Sequence, residues 1–247
     1  MSAESGPRSS SPPFREMNDP LGEGRFAEVR GFVHDPSRVV KMIKPELWQS
    51  ETMQHSQKER GFILPETVKD IKHYTEFFDA LHKPSNMAGK LIPQTSFVLG
   101  HAEDGSPTTF MVQDKIDGVS IDDGGSHLQA HLTHEQKFDL CAIMDGLIDA
   151  YIDTYDGERG STVRFEKNDN FIYGHQAGSQ DPYALHYIDV VPLERFSPDR
   201  MILELNWSMA NFGIDEDAAF SQQFELLQEK IRTIDKLDRG SGQPQVA

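Results

Sequence analysis

A glycine-containing segment, Leu21–Val29, lies at the start of an apolar run with the character of a β-strand. Gly22 and Gly24 allow the backbone to approach a phosphate group closely, and their amides can donate without obstruction by a side chain. In dinucleotide-binding folds such glycines open a helix, whereas here they open a strand. The segment therefore disfavours that fold and indicates either a phosphate-binding hairpin or a plain hairpin that contains glycine.

The first half of the chain predicts strands and one long helix. Phe26–Val33 and Arg38–Ile43 flank His34–Ser37, whose Asp, Pro and Ser favour a turn, so we expect a hairpin. A helix should begin after Pro65 and end near Leu81, because apolar residues recur there at three- and four-residue spacing. Two further strands are expected, and they cover Ile92–Leu99 and Thr108–Lys115.

The second half predicts mainly helices. Thr133 and Gln136 have the spacing of a capping box, in front of a helix that should reach about Tyr155. Two short strands and two closing helices are expected after it, over Phe171–Tyr173, Ala184–Val191, Pro198–Ala210 and Glu216–Leu237. A strand-rich part followed by a helical part predicts the α+β class.

Length and composition limit the class of protein. A chain of 247 residues can form one large domain or two small lobes. The balance of 24 Lys+Arg against 40 Asp+Glu, a formal net charge of −16, disfavours binding to nucleic acid or to an anionic membrane. We expect a cytoplasmic protein, because the sequence shows neither a membrane-spanning apolar run nor the layout of a secretory signal. The single cysteine, Cys141, should be a buried core residue.

Lys41 follows two valines on the second strand of the predicted hairpin. Side-chain alternation directs it beneath the glycine-containing segment, where its ammonium group can contact nucleotide phosphates. The alternative is an ordinary exposed strand lysine. In the same hairpin, Phe26 is expected to cover the phosphates and Val29 to pack against a flat base.

An acidic residue on the long helix is expected to hold Lys41 in place. Asp70 is the first choice, because the helical residues beside it face the core. Glu66, one turn earlier, is the alternative, and Glu76 is less suitable. Each of the three could equally be a solvated charge on the helix surface.

The stretch Val112–Gly118 leaves the last predicted strand of the first half. Its extended backbone is expected to meet the edge of an adenine ring through groups of Asp114 and Ile116. Gln113 would then lie at the back of the base pocket. On composition alone, the same stretch is a strand that ends in an Asp-Gly turn.

A polar loop within Arg164–Tyr173 leads to Asn170 at the start of a short apolar strand. An asparagine side-chain oxygen can bind Mg²⁺, and Lys167 can neutralise a phosphoryl group in transfer. Asp189 follows the next apolar strand and would bind the same metal; the alternative is an acid that caps the following turn. Because Asn170 and Asp189 flank one hairpin, we expect them to lie close together.

In this order, the motifs resemble the protein kinase superfamily, and more narrowly the short bacterial kinase-like proteins of the YrbL type, the PhoP regulatory network group. The shared motifs, between Leu21 and Phe196, are Leu21–Arg25, Asp70–Tyr74, Lys167–Asn170 and Asp189. The resemblance implies a bilobal fold that binds ATP and Mg²⁺, with an unidentified phosphoacceptor or protein partner. A β-rich N-lobe would cover residues 19–115 and a shortened helical C-lobe residues 116–239, between disordered tails at 1–18 and 240–247.

The sequence departs from the kinase pattern where a catalytic Asp is expected, five residues before the metal-binding Asn. Phe165 occupies that position, and a phenyl ring cannot accept a proton. Glu166 or Asp169 is the candidate replacement. The glycine expected after the metal-binding Asp is also absent, since Val190 stands there.

Three interpretations therefore remain open. The first is an atypical phosphotransferase, whose predicted catalytic residues are Lys41, Asp70, Lys167 and Glu166. The second is a pseudokinase that binds nucleotide without turnover, and the third is an interaction protein that binds no nucleotide. Phe165 favours the second, and the combination of Lys41, Asn170 and Asp189 favours the first.

Overall fold

The computed structural model describes residues 17–23, 27–43, 68–101, 107–121, 132–154, 170–188, 190, 202–203, 205–206, 209–210, 212–214 and 218–241. Within these ranges the chain combines antiparallel sheets with three α-helices, so the predicted α+β class is confirmed.

The strands form two antiparallel sheets. The five-stranded sheet has the order β1-β2-β3-β5-β4, and its strands are β1 Met17–Glu23, β2 Ala27–Phe32, β3 Arg38–Ile43, β4 Thr95–His101 and β5 Pro107–Asp114. The three-stranded sheet has the order β6-β7-β8, and its strands are β6 Ile116–Ser120, β7 Phe171–Gln176 and β8 Ala184–Tyr187. The helices are α1 Val68–Leu81, α2 His134–Thr154 and α3 Ala218–Ser241, and a 3-10 turn covers Met87–Lys90.

The hairpin of β2 and β3 forms where its turn residues predict it. Asp35 organises the turn, because its carboxylate accepts hydrogen bonds from the backbone N–H of Ser37 at 3.2 Å and from the Ser37 hydroxyl at 2.5 Å. The backbone oxygen of Asp35 also accepts from the N–H of Arg38 at 3.2 Å. A short polar side chain thus closes the turn locally and leads directly into β3.

Helix α1 connects β3 to β4 and packs its aromatic face on β4. Tyr74 and Phe78 are buried, and their ring centroids lie 5.3 and 5.9 Å from that of Phe97. The predicted periodicity of this helix is confirmed by the burial of Phe77 and Leu81 as well. Its predicted start after Pro65 lies outside the described residues.

The turn after α1 fastens that helix to the second half of the chain. The Asn86 side chain donates to the backbone oxygen of Gly146 in α2 at 2.8 Å, and its own oxygen accepts from the N–H of Ala88 at 3.0 Å. Further along, the backbone oxygen of Leu91 accepts from the N–H of Tyr187 in β8 at 3.0 Å. The connection between α1 and β4 therefore contacts both α2 and the second sheet.

Helix α2 is the centre of the core. The predicted capping box at its start is confirmed, with the N–H of Thr133 bonded to the Gln136 side chain at 2.9 Å and the reciprocal bond at 3.3 Å. Nine of its residues are buried, which are Leu140, Cys141, Ile143, Met144, Gly146, Leu147, Ile148, Ala150 and Tyr151. Burial of the predicted core thiol Cys141 raises its pKa to about 11.

The charged edge of α2 contacts α3 and the second sheet. Lys230 of α3 donates to Asp145 at 2.5 Å and to Asp149 at 2.9 Å. Burial opposes the charge of Lys230, but these two carboxylates raise its pKa overall. On the other side, the Asp139 carboxylate accepts from the N–H of Leu185 at 2.9 Å, which satisfies a backbone group of the edge strand β8.

Several elements differ from the sequence-based expectations at their ends. β1 begins at Met17, inside the segment whose composition predicts a tail, because Met17 pairs with Phe32. β7 continues beyond Tyr173 to Gln176, and β8 stops at Tyr187, short of Val191. At the C-terminal end α3 extends to Ser241, two residues beyond the expected end of the C-lobe.

Strand β6 is an element that the sequence pattern does not predict. It is short, with three exposed residues among its five, and it forms because its glycine allows close pairing with β7. Gly118 lies opposite Gly174, and a Cβ added to Gly118 would lie 2.4 Å from the backbone oxygen of Tyr173. A Cβ on Gly174 would lie 2.3 Å from the backbone oxygen of Asp117. The two glycines therefore permit this backbone approach from both strands.

Gly146→Ala should destabilise the protein, although alanine is normally preferred to glycine inside a helix by about 1 kcal/mol. The new Cβ would lie 2.1 Å from Asn86 Oδ1 and 2.4 Å from the Ala88 Cβ, so the turn after α1 must move away from α2. We expect the free energy of unfolding to fall by about 1–3 kcal/mol in urea denaturation. An equal or more stable variant would contradict the close packing of this turn on α2.

Candidate functional site

One face of the five-stranded sheet brings together three of the predicted site residues. Val29 of β2 lies opposite Lys41 of β3, and Val39 of β3 lies opposite Gln113 of β5. Residues that are directly opposite on antiparallel strands project to the same face, as do residues two apart along a strand. Val29, Lys41 and Gln113 therefore share one face of the sheet.

Helix α1 lies on that same face. Met111 of β5 lies opposite both Lys41 on β3 and Phe97 on β4, and the Phe97 ring contacts Tyr74 and Phe78 of α1. The helix that carries the candidate acids is thus on the side of the sheet to which Lys41 projects.

The candidate acids themselves have different positions. The backbone of Asp70 lies in α1, but its side chain is outside the described set, and so is the whole of Glu66. Glu76 is exposed and lies 3.4 Å from the ammonium group of Lys72 on the helix surface. Glu76 is therefore a surface charge that is paired with Lys72.

Lys41 makes the contact that connects the two sheets. Its ammonium group donates to the backbone oxygen of Ile188 at 2.5 Å, and the N–H of Ile188 donates to the backbone oxygen of Asn170 at 2.9 Å. Ile188 directly follows β8, and Asn170 directly precedes β7. The two ends of the β7–β8 hairpin therefore meet beside the β3 lysine.

The remaining predicted phosphate and metal residues lie partly outside the described residues. Gly22 lies opposite Val29, and Leu21 is 57% exposed in β1. Outside the described residues are Gly24, Phe26, Phe165, Glu166, Lys167, Asp169 and Asp189. In sequence, Asp189 is the next residue after Ile188, to which Lys41 donates.

Where the chain passes from the first sheet to the second, the backbone N–H and C=O of Ile116 point away from the neighbouring strand β7. The N–H of Ala177 donates to the backbone oxygen of Lys115 at 2.8 Å, and Ile116 lies opposite Gln176. Bonded and non-bonded pairs alternate in an antiparallel ladder, so the N–H and C=O of Ile116 point away from β7. β6 is the edge strand of its sheet, so this side of Ile116 faces no strand of that sheet.

The backbone of Asp114 is directed differently. Its N–H donates to the backbone oxygen of Gln94 at 2.9 Å, next to the last pair of β4 and β5. The N–H and C=O of one strand residue point to the same side, so the C=O of Asp114 is also directed towards β4.

The Asp114 side chain forms a polar clamp, which we define as Asp114, Arg38 and Gln176. The amide of Gln176 at the end of β7 donates to the Asp114 carboxylate at 2.8 Å, and Arg38 at the start of β3 lies 3.7 Å from it. Burial raises the pKa of Asp114, and the nearby Arg38 opposes that rise. In the same region the N–H of Lys115 donates to the backbone oxygen of Ser37 at 2.7 Å. Both sheets are thus held to the connecting segment by side-chain and backbone bonds.

Gln113 belongs to a short hydrogen-bond relay beneath the same segment. It is 2% exposed, and its side-chain nitrogen donates to the Thr95 hydroxyl at 3.1 Å. That hydroxyl in turn donates to the backbone oxygen of Pro93 at 3.0 Å. The sequence pattern identifies Gln113 but not Thr95, whose role depends on the pairing of β4 with β5.

The half-buried His82 and the buried His186 flank the turn between α1 and β4. His82 contacts the backbone oxygen of Gly89 at 3.0 Å through Nδ1, and its Nε2 is buried without a hydrogen-bond partner. His186 in β8 is 6% exposed, and its Nδ1 is likewise buried without a partner. Burial lowers the pKa of both, although Asp114 opposes this for His82. Both side chains are therefore held in the neutral form near neutral pH.

The comparisons with known proteins give no assignment. No protein-family model and no curated protein matches the sequence. In the described ranges, His, Cys, Asp and Glu form no group of three or more that could hold a metal ion. The helices in those ranges include none with the length and hydropathy of a membrane span.

The polar clamp should show energetic coupling between Asp114 and Gln176. Removal of either side chain deletes the same 2.8 Å hydrogen bond, so the effects of Asp114→Ala and Gln176→Ala should not add. We expect a coupling free energy of about 0.5–1.5 kcal/mol in a double-mutant cycle of urea denaturation. Ser179→Ala, in the adjacent turn, is the control partner and should be additive with Asp114→Ala. If the effects of Asp114→Ala and Gln176→Ala also added, the result would contradict the hydrogen bond of the polar clamp.

His82 and His186 should make the folded state sensitive to mild acid. Below pH about 6.5 the unfolded chain takes up protons that the folded His82 and His186 resist, so the free energy of unfolding falls as pH decreases. Each histidine contributes at most about 1.4 kcal/mol per pH unit. Burial raises the pKa of Asp114 and Asp139, whose protonation acts in the opposite direction.

A comparison of variants isolates the histidine contribution to this pH dependence. His186→Leu should reduce the slope of unfolding free energy between pH about 7.5 and 5.5, measured by urea denaturation, whatever its effect on absolute stability. Thr75→Leu, at an exposed position on α1, is the control and should leave the slope unchanged, because threonine does not titrate in this range. An unchanged slope in His186→Leu would show that His186 is protonated equally in both states.

Proposed function

We propose that this chain binds ATP and Mg²⁺ beside the face of the first sheet that carries Lys41, and that it acts as an atypical kinase-like phosphotransferase. The observation that carries the proposal is the 2.5 Å hydrogen bond from Lys41 to the backbone oxygen of Ile188. It brings the lysine predicted to bind phosphate to the residue that precedes the predicted metal ligand Asp189. Asn170, the other predicted ligand, is bonded to the same residue through its backbone.

The order of the elements supports the same proposal. A lysine on the third strand, a helix between that strand and the fourth, and an extended segment after the fifth all occur in the kinase pattern. Here these positions are held by Lys41 on β3, by α1, and by the residues that follow β5. The β7–β8 hairpin then carries an Asn before its first strand and an Asp after its second, as that pattern requires.

The predicted residues suit the chemistry of a magnesium nucleotide. The side-chain oxygens of Asn170 and Asp189 are the hard oxygen ligands that Mg²⁺ prefers. When bound, Mg²⁺ would neutralise charge on the phosphate oxygens. Lys41 would hold the phosphates as a point charge, and Lys167 would stabilise charge on the phosphoryl group. The outward N–H of Ile116 offers a donor to a ring nitrogen of the base.

A pseudokinase is the second candidate function, and Phe165 is the observation that favours it. A phenyl ring at this position cannot accept the proton of an acceptor hydroxyl. Positioning and electrostatic stabilisation still account for most of the catalysis in phosphoryl transfer, so the loss of one base does not abolish the reaction by necessity. The acceptor would be a protein or a small molecule, since the charge of −16 disfavours nucleic acid.

Isothermal titration of the full chain with ATP, with and without Mg²⁺, tests the binding half of the proposal. Lys41→Met should weaken binding of MgATP by at least about tenfold, because a charge-assisted phosphate contact is lost. Asp189→Ala should abolish the dependence on Mg²⁺. The matched control is Lys72→Met, which removes a lysine that is 76% exposed on α1 and should bind as wild type does. Unfolding curves for each variant separate lost contacts from lost folding.

The transfer half of the proposal is tested with ATP labelled at the γ-phosphate. Transfer to the chain itself or to a protein or small molecule in a lysate, absent in Asp189→Ala, would support the phosphotransferase. Binding that depends on Mg²⁺ without transfer would support the pseudokinase instead. No binding of MgATP by the wild type would overturn both.

A further inference from the structure

The second sheet meets the first half of the chain with one face, which we call the junction face. Residues that lie opposite on paired strands, or two apart along a strand, project to the same side of a sheet. The members of β7 and β8 on this side are Ile172, Gly174, Gln176, Ala184 and His186. Gln176 donates to Asp114 of β5 at 2.8 Å, and the His186 ring lies close to the backbone oxygen of Leu91. The junction face therefore attaches the second sheet to the first half.

The opposite face of the same sheet has a different character. It carries Phe171, Leu185 and Tyr187, which are fully buried in the core that surrounds α2. On the junction face the only large aliphatic side chain among the described residues of β7 and β8 is Ile172, which is partly exposed. Separation of the junction face from the first half therefore exposes less apolar surface than disruption of the core does.

Polar bonds hold the junction face in place. They join Tyr187 to Leu91, Gln176 to Asp114 and Lys41 to Ile188. Each bond depends on the position of the second sheet relative to the first half, so all of them are lost when the two sides separate. The bond between the Tyr187 N–H and the Leu91 oxygen is directly beside His186 in sequence.

The two histidines beside this junction each have a buried ring nitrogen without a hydrogen-bond partner. His82 Nδ1 lies 3.0 Å from the backbone oxygen of Gly89, which can only accept, so Nδ1 carries the proton of the neutral ring. A second proton must then go to Nε2, which is the buried nitrogen without a partner. In His186 that nitrogen is Nδ1. Protonation in the folded state therefore places a charged N–H group in a buried position without a hydrogen bond.

The groups around His82 compensate for this cost only in part. Burial lowers the pKa of His82, and the backbone oxygens of Gly89 and Pro93 oppose the change. The carboxylates of Asp114 on β5 and of Asp79 on α1 also favour the charged ring. Because burial outweighs these four groups, the ring binds a proton more readily once water reaches it.

The surroundings of His186 act in the same way. Burial lowers its pKa, the backbone oxygens of Gly174 and Leu91 oppose this, and the nearby His175 of β7 adds to the lowering. A ring that is 6% exposed can reach water only if the junction face moves away from the Leu91 backbone or the whole chain unfolds. Proton uptake therefore favours any state in which the junction is open.

We propose that the junction is an acid-sensitive hinge, in which protonation of His186 and His82 below pH about 6.5 separates the junction face from the first half while the core around α2 stays folded. Opening breaks the bond of Tyr187 to Leu91 and the bond of Lys41 to Ile188. The hinge requires no nucleotide, so it stands or falls separately from the proposed function.

Amide hydrogen exchange, followed by NMR on the full chain without ligand, tests the hinge. The Tyr187 N–H crosses the junction, whereas the Leu147 N–H lies within α2. After correction for the intrinsic pH dependence of exchange, opening at Tyr187 should become about tenfold more frequent per histidine between pH about 7.5 and 5.5. Low urea should change this exchange little, because a local opening exposes little surface, whereas it should accelerate exchange at Leu147.

Two variants assign the effect to the histidines. His186→Leu removes one of the two titrating rings, so the acid-induced increase at Tyr187 should be about tenfold smaller than in the wild type. His82→Leu makes the same test at the other ring if the first variant folds poorly. Thr75→Leu, at an exposed position on α1, is the matched control and should retain the full increase.

Two results would overturn the hinge. In the first, the wild-type Tyr187 amide at pH about 5.5 has the same protection and the same urea dependence as Leu147, so the junction opens only when the whole chain unfolds. This result needs no variant. In the second, the opening at Tyr187 is local, but its frequency does not change with pH or rises equally in the wild type and in both histidine variants.

Discussion

The hydrogen bond from Lys41 to the backbone oxygen of Ile188 is the contact on which the proposed site depends. A lysine ammonium group carries a full charge and is strongly hydrated, so it is stable in a partly buried position only when acceptors surround it. Here a strand of the first sheet directs the lysine to the strand end of the second sheet. Any anionic ligand beside Lys41 would therefore be in contact with both sheets.

Two other connections keep the sheets in the positions that this contact requires. The turn after α1 is bonded to α2 through Asn86 and to β8 through Leu91. The segment between β5 and β6 is held by the Asp114 side chain and by backbone bonds of Lys115. Each connection uses polar groups that are specific in direction, whereas the apolar core around α2 supplies most of the buried area. The relative position of the two sheets therefore depends on polar bonds in the connections, whereas the stability of the fold depends mainly on the apolar core.

Sequence reasoning identified the elements better than their ends. The hairpin at His34–Ser37 and the capping box at Thr133 are local signals, and the structure has both. β6 has no such signal, because it forms only when Gly118 meets Gly174 from a distant part of the chain. Within the candidate site, alternation along β3 predicts the side of the sheet to which Lys41 projects, but its acceptor Ile188 is 147 residues away. The sequence does not identify Thr95 for the same reason, since the hydrogen-bond partner of a hydroxyl on one strand depends on which strand pairs with it.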